Sequence, residues 1–375
     1  MVSAPVKYHL GKFPPPVLDW PRLIPLIGPA NASLARYDGL LAAIPNSQIL
    51  LSPLTTQEAV LSSKIEGTHV TIGEVLEIEA GGGDGAFSQT KRDDAEEVLN
   101  YRKAMRACVS ELEQRPLSQH ILRSAHALLM QGVRGHNKSP GGYRGEQNWI
   151  GAAGCSIGEA SFVPVAPELL PSGMERWERF LGSTEEMDAL VQLALVHVEF
   201  EALHPFKDGN GRLGRMLIPL FLYQRRLISS PDFYMSGYLE ARREEYLERL
   251  RAVSRDGEWT GWCAFFLEGI REQAMENAKK AQAILSLYDK IKLQVTDVTH
   301  SQHSIRAVDF IFQNPIFSAP FFVRNATIPK PTANRILGLL REQGILLTLR
   351  PGRGRRPGFF AFRDLLNIAE GRQVF

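Results

Sequence analysis

Apolar residues recur every three or four positions through most of this chain, the spacing of helices that bury one face. Near the start, SLARYDGLLAAI and SPLTTQEAVLSSKIEG carry that spacing, the second with Ser52 and Thr55 as candidate caps. From about Thr90 the pattern lengthens. DDAEEVLNYRKAMRACVSEL, SQHILRSAHALLMQG, PSGMERWERFLG and EEMDALVQLALVHVEFEALH each predict a helix. MLIPLFLYQRRLI continues as an apolar helix, and the stretch from REEYLERL to LSLYDKI predicts further long ones, the last placed to bridge two domains.

Two segments break the helical period. YRGEQNWIGAAGCSIGEASFVPVAP is rich in Gly, aromatic and β-branched residues and predicts a small hairpin. In the tail, short helices give way to PGRGRRPG flanked by ILLTL and FFAF, the order of a winged helix. FPPPVLDW and GGGDGAF punctuate the first third. The expectation is a mainly α protein: a helical N-terminal region over 1–112, a helical core with a β-hairpin over 113–270, a linker helix over 271–300 and a winged-helix (α+β) module over 301–375.

With 44% hydrophobic and 22% charged residues, the 375-residue chain has the composition of a globular protein of two or three units. Its start has no apolar core of signal-peptide length and no run long enough to span a membrane, so a cytoplasmic protein is expected. Cys108, Cys155 and Cys263 are odd in number and far apart, which predicts reduced thiols and no metal cluster. The net charge of +2 conceals an asymmetry. Residues 301–375 hold 11 Lys and Arg against 4 Asp and Glu, a net +7, which leaves −5 on the rest.

Residues 204–215 read HPFKDGNGRLGR. Pro205 stops the preceding helix, and Gly209, Asn210 and Gly211 form a turn that feeds a new helix N-terminus. Unpaired N–H groups and the positive end of a helix dipole make such a turn an anion cradle, and glycines let a phosphate approach closely. Arg212 and Arg215 fall on one face of the first turn, where guanidinium groups clamp phosphate oxygens. Asp208 beside a polyphosphate is a natural Mg²⁺ ligand. His204, with an ordinary pKa of about 6.5, is suited to accept a proton from an attacking hydroxyl.

The stretch matches the pattern H-P-F-x-D/E-G-N-G-R-x-x-R completely and resembles the Fic family. That resemblance implies a protein adenylyltransferase moving AMP from ATP, with Mg²⁺, to Ser, Thr or Tyr hydroxyls of a target protein and of the chain itself. It implies His204 as catalytic base, Asp208 as metal ligand, Phe206 as the buried anchor, and Gly209, Asn210, Gly211, Arg212, Leu213, Gly214 and Arg215 as the phosphate-binding segment. YRGEQNWIG through Pro167 resembles the family's flap, whose edge would hold a target by strand addition. YLEARREEYLERL resembles the adenine side, with Tyr238 and Tyr246 as its aromatic candidates.

Upstream, SSKIEG matches S/T-x-x-x-E-G/N and resembles the Fic inhibitory helix, which singles out Ser62, Glu66 and Gly67. A carboxylate on Arg215 would neutralise the charge that ATP needs, so Glu66 is expected to pair with Arg215. Some relatives also remove AMP with this glutamate, which is one alternative activity. His197, His120 and His126 are read as structural, because Pro205 ends the helix after His197 and no third ligand has metal spacing. In the tail, Thr332, Asn334 and Arg335 lie on a presumed recognition helix and Arg350, Arg353, Arg355 and Arg356 crowd the wing. They support a second alternative, a nucleotide-sensing regulator that binds DNA through 301–375. No membrane partner is expected, and a homodimer is admitted.

Overall fold

The computed structural model describes residues 4–44, 46–82, 87–132, 137–184, 188–352 and 357–374, and the backbone alone at Ser47 and Gln48. Contacts divide the chain into two compact units, one of Met1–Asp38, Leu61–Glu66 and Asn100–Met275, the other of Gly39–Val60, Gly67–Leu99 and Glu276–Phe375. The first 112 residues contribute to both, and the boundary at 275/276 falls inside the 41-residue helix Trp259–Thr299.

At the centre of the first unit is the helix Ala189–Leu203, whose residues from Leu190 to Leu203 are all buried. A helix apolar on every side has no solvent face to offer, so it is enclosed by others. Leu170–Gly182 and Asn210–Gln224 pack against it. Trp177 and Trp262, both fully buried, donate indole N–H groups to Val196 O at 2.9 Å and Ala194 O at 2.7 Å. Asp188 caps its start by accepting from the amides of Leu190 and Val191.

The helix predicted around SLARYDGLLAAI begins earlier, at Trp20, and runs to Ala43 through Pro25 and Pro29. These prolines, four residues apart, remove donors along one face, and the sequence pattern stops there because proline normally ends a helix.

The expected hairpin is reduced to one antiparallel bridge. Ile150 and Phe162 exchange backbone hydrogen bonds at 2.9 and 3.1 Å, while the intervening Gly-rich stretch loops out. That loop is held by its own side chains: the Trp149 indole donates to Cys155 O, and Ser156 and Glu159 form a capping box. Phe162–Val163 pairs in parallel with Val6–Lys7 instead of extending the hairpin. Behind that strand, His9 bridges Glu199 and Ser254 at 2.7 Å each, and the Tyr8 hydroxyl donates to Glu199 at 2.6 Å, all against the core.

The second unit ends in Ser304–Gln313, strand Ile316–Ser318, helices Ala319–Asn325 and Lys330–Glu342, strands Leu347–Arg350 and Phe359–Ala361, and helix Arg363–Glu370. Its antiparallel sheet has the Phe359–Ala361 strand in the middle. A shift in register between Thr348 and Arg350 marks a bulge. No described helix is long and apolar enough to cross a membrane.

Candidate active site

The central helix stops where His204 adopts a left-handed backbone, φ 49° and ψ 59°, ahead of Pro205. That conformation is uncommon for a residue with a side chain, so the surroundings must hold it. Arg144 does so from the flap: its Nε donates to His204 O at 2.9 Å and an NH2 group to Leu203 O at 3.2 Å. Its own amide donates to Pro205 O. Burial lowers the Arg144 pKa to about 10, which leaves it charged at neutral pH. Arg144→Ala would strand several buried carbonyls, and a loss of roughly 3–5 kcal/mol in denaturant unfolding is expected.

The turn is then closed by Asn210. Its Oδ1 accepts from the Phe206 amide and its Nδ2 donates to Phe206 O, both at 2.8 Å. Gly209 takes φ 75°, and Asp208 Oδ1 accepts from its amide at 2.6 Å. Phe206 is fully buried and stacks on His126, ring centres 3.9 Å apart. The His126 Nδ1 accepts from the Gly141 amide, so Nε2 carries the proton and donates to Asp208 O at 3.1 Å. His126 thus shapes the loop from a different helix. Burial lowers its pKa to about 4.

In the following helix, Asn210–Gln224, Arg215 is 1% exposed, with Nε donating to Ser62 Oγ at 2.9 Å and an NH2 group to Ser62 O at 2.7 Å. Glu66 Oε1 lies 2.7 Å from the same guanidinium. A Cβ added at Gly211 would stand 2.1 Å from that oxygen. The carboxylate therefore lies over the first turn of the motif helix, where a helix N-terminus attracts an anion. Desolvation works to raise the Glu66 pKa, but the charge and hydrogen bond of Arg215, with Arg212 and His204, hold it below the ordinary value. Burial alone would lower Arg215; Glu66, Tyr246 and Glu201 raise it. Arg212 is buried and meets Asp208 at 3.4 Å.

His204 Nδ1 lies 3.3 Å from Glu201 O, which can only accept, so Nδ1 bears the proton and Nε2 is left with a lone pair. Desolvation lowers its pKa to about 4, against the opposing pull of Glu66. The imidazole is therefore neutral near pH 7. It lines a cavity of about 180 Å³ together with Glu66, Gly211, Arg215, Ile150 and Phe162. Glu201 lines it too, and burial raises its pKa to about 7.

These buried groups set an acid response. His126, His204 and His197, the last lowered to about 3, have folded pKa values below the unfolded 6.5, so the unfolded chain binds more protons as pH falls. Glu201 acts with opposite sign, being raised on folding. With three imidazoles against one carboxyl, stability should fall by about 2 kcal/mol between pH 7 and pH 5.5, above the ordinary carboxylate range. Melting temperatures across that window would check it.

Tyr246 lines the cavity but is 1% exposed, with its hydroxyl 2.9 Å from His197 Nε2. Tyr238 does not line it: its ring packs on Phe265 and lies 4.2 Å from the Arg242 guanidinium carbon. The segment carrying Ser62 and Glu66 gains a further hold that no motif announces, Arg243 Nε donating to Ile65 O at 3.1 Å. Gly67 follows Glu66 at φ 98°. Among the described residues, no three His, Cys, Asp or Glu side chains are grouped for a metal.

Two of the residues that suggested a DNA surface have partners within the chain. Arg335 donates to Thr299 O at 2.9 Å, and Arg350 pairs with Glu77 and lies over the Phe87 ring. Thr332 is half-buried and Asn334 exposed, while Arg353, Arg355 and Arg356 lie outside the described residues.

Residues 24–110 match the Fic/DOC family N-terminal domain and residues 116–222 the Fic/DOC family itself, together about half of the chain. This chain belongs to the Fic family. It is 27% identical over 249 residues to a probable protein adenylyltransferase of Aquifex aeolicus, covering 61% of this chain and 71% of that one. The protein adenylyltransferase Fic of Drosophila ananassae is 31% identical over 165 residues, 42% of this chain but only 30% of its own length. Among solved structures, a Fic family protein of Desulfovibrio desulfuricans superposes with TM-score 0.59 at 20% identity, covering 93% of this chain and 98% of that one. Fic-1 of C. elegans gives 0.53 at 17%, covering 72% and 75%. The structural likeness places the Fic fold on this chain.

Proposed function

We infer that this chain is a protein adenylyltransferase that moves AMP from ATP to a hydroxyl of a target protein. The observation that carries this reading is the shared cavity of His204, Gly211 and Arg215, with His204 Nδ1 committed and Nε2 left to accept. In the step, the target oxygen forms a bond to the α-phosphorus and the bond to pyrophosphate breaks. His204 takes the hydroxyl proton, and the Gly209–Gly211 turn with Arg212 and Arg215 offsets the phosphate charge. Positioning supplies the rest.

Asp208 fits a magnesium ion, which draws one or two carboxylates from the protein and its other ligands from phosphate oxygens and water. Its side chain is 45% exposed beside the turn. When bound, the ion would neutralise charge on the leaving pyrophosphate.

Glu66 acts as a brake in this reading, supported by its 2.7 Å contact with Arg215 and its place over Gly211. The target would enter along the flap, adding a strand beside Ile150, whose bridge to Phe162 lines the cavity. For the tail we read a winged helix, on the order of its elements. The activity is tested by incubating the purified chain with ATP labelled at the α-phosphate and a protein mixture. Label on protein that survives denaturation is expected; label from the γ-phosphate alone would sink the reading.

A further inference from the structure

Most polar side chains that line the cavity already have partners in the protein. Glu66 and Arg215 hold each other, and Ser161 Oγ donates to Ile150 O at 2.8 Å. Arg243 is engaged by Ile65 O and Glu244, Arg251 by Glu248, and the Tyr246 hydroxyl by His197. Among the described lining residues two groups remain: His204 Nε2, which the transfer step uses, and the carboxyl of Glu201.

Glu201 sits on the central helix three residues before His204, its side chain 10% exposed and its Oε1 without a hydrogen-bond partner. His197 does not serve as one. Its Nε2 stands 4.0 Å away, beyond hydrogen-bond reach, and its Nδ1 must donate to Gly214 O at 2.9 Å, which leaves Nε2 of the neutral ring as an acceptor turned to Tyr246. The motif helix makes room for the carboxyl: a Cβ added at Gly214 would stand 2.1 Å from Glu201 Oε1. A buried acid with no donor is costly, and burial raises its pKa to about 7. Such a group facing a cavity is accounted for by a ligand that brings the donor.

A nucleotide divides into two kinds of chemistry. Its phosphates are negative and accept hydrogen bonds, so they belong with Arg212, Arg215 and the turn, and a carboxylate beside them would repel. Its donors lie on the nucleoside. Leu247, Leu250 and Phe162 give the cavity apolar walls that suit a sugar or a base without bonding it. We propose that Glu201 is a specificity residue of this cavity, its carboxyl accepting a hydrogen bond from a donor of the nucleoside, the 6-amino group of adenine or a ribose hydroxyl.

The inference rests on the ATP reading above, and binding separates the two. In the full chain carrying Glu66→Gly, titration calorimetry measures ATP, purine riboside triphosphate, which lacks the 6-amino group, 2′-deoxyATP, 3′-deoxyATP and inorganic triphosphate, with and without Glu201→Met. One of the three analogues should bind about five- to twentyfold more weakly than ATP, the weight of one lost hydrogen bond, and which one identifies the donor. Glu201→Met should weaken ATP by a like factor and erase the difference between ATP and that analogue, while inorganic triphosphate binds both chains alike. Glu201→Gln, which keeps an acceptor, should restore most of the ATP affinity. Methionine has the length of glutamate and removes a buried unpaired acid, so the melting temperature should not fall; Glu201→Leu repeats the measurement if that chain unfolds. An equal loss for inorganic triphosphate would place the carboxyl on the phosphates and overturn the proposal, as would analogue differences that survive Glu201→Met. If the Glu66→Gly chain binds no ATP with Glu201 intact, the nucleotide reading itself fails and takes this inference with it.

Discussion

Glu66→Gly is expected to raise AMP transfer about 10- to 100-fold over the unaltered chain, the equivalent of one charge-assisted hydrogen bond. Two effects combine. The Arg215 guanidinium, 1% exposed, loses its counter-charge and becomes free to meet phosphate. The space 2.1 Å from a Gly211 Cβ, now filled by Glu66 Oε1, opens to a phosphate oxygen at the helix N-terminus. Labelled ATP and a time course on both proteins measure it. Equal rates would mean that the contact seen here does not restrain the enzyme.

The second large effect concerns His204. In the Glu66→Gly background, His204→Ala should lower kcat by about 10²- to 10⁴-fold, the usual contribution of a general base. ATP binding should persist, since in the proposed reading Nε2 meets the incoming hydroxyl while the turn and arginines hold phosphate. Alanine at φ 49° adds backbone strain, so His204→Asn is the better companion: asparagine tolerates that conformation and still lacks a base of suitable pKa. Retained transfer in both variants would remove His204 from the chemistry.

The residues proposed as base, turn, cradle and clamp stand out in the sequence because they follow one another along twelve residues. Glu66 was legible through its motif, and the structure adds that Ser62 binds Arg215 twice, by side chain and by backbone. Arg144 was not. It acts on carbonyls about 60 residues away, and a lone arginine in a Gly-rich segment has no periodicity to reveal that. The sequence marks His126 as structural but gives no sign that it stacks on Phe206, since ring contacts across helices leave no local pattern. The hairpin is shorter than its composition predicts because the aromatic and β-branched residues Phe162 and Val163 serve a parallel pairing with Val6–Lys7. Tyr238 and Tyr246, eight residues apart, share helical spacing in the sequence, yet they lie on separate helices, Ser236–Ala241 and Arg243–Asp256, and only Tyr246 lines the cavity.

Helix Ser52–Ile65 ends one residue before Glu66, and Gly67 follows at φ 98° with nothing within 4 Å of where its Cβ would be. Rotation at Gly67 turns the chain beyond Glu66 and not Glu66 itself, whose amide donates to Ser63 O at 3.0 Å. In the brake reading Ser62 and the carboxylate would therefore withdraw together, so the charge and the direction of the arginine would be released in one step.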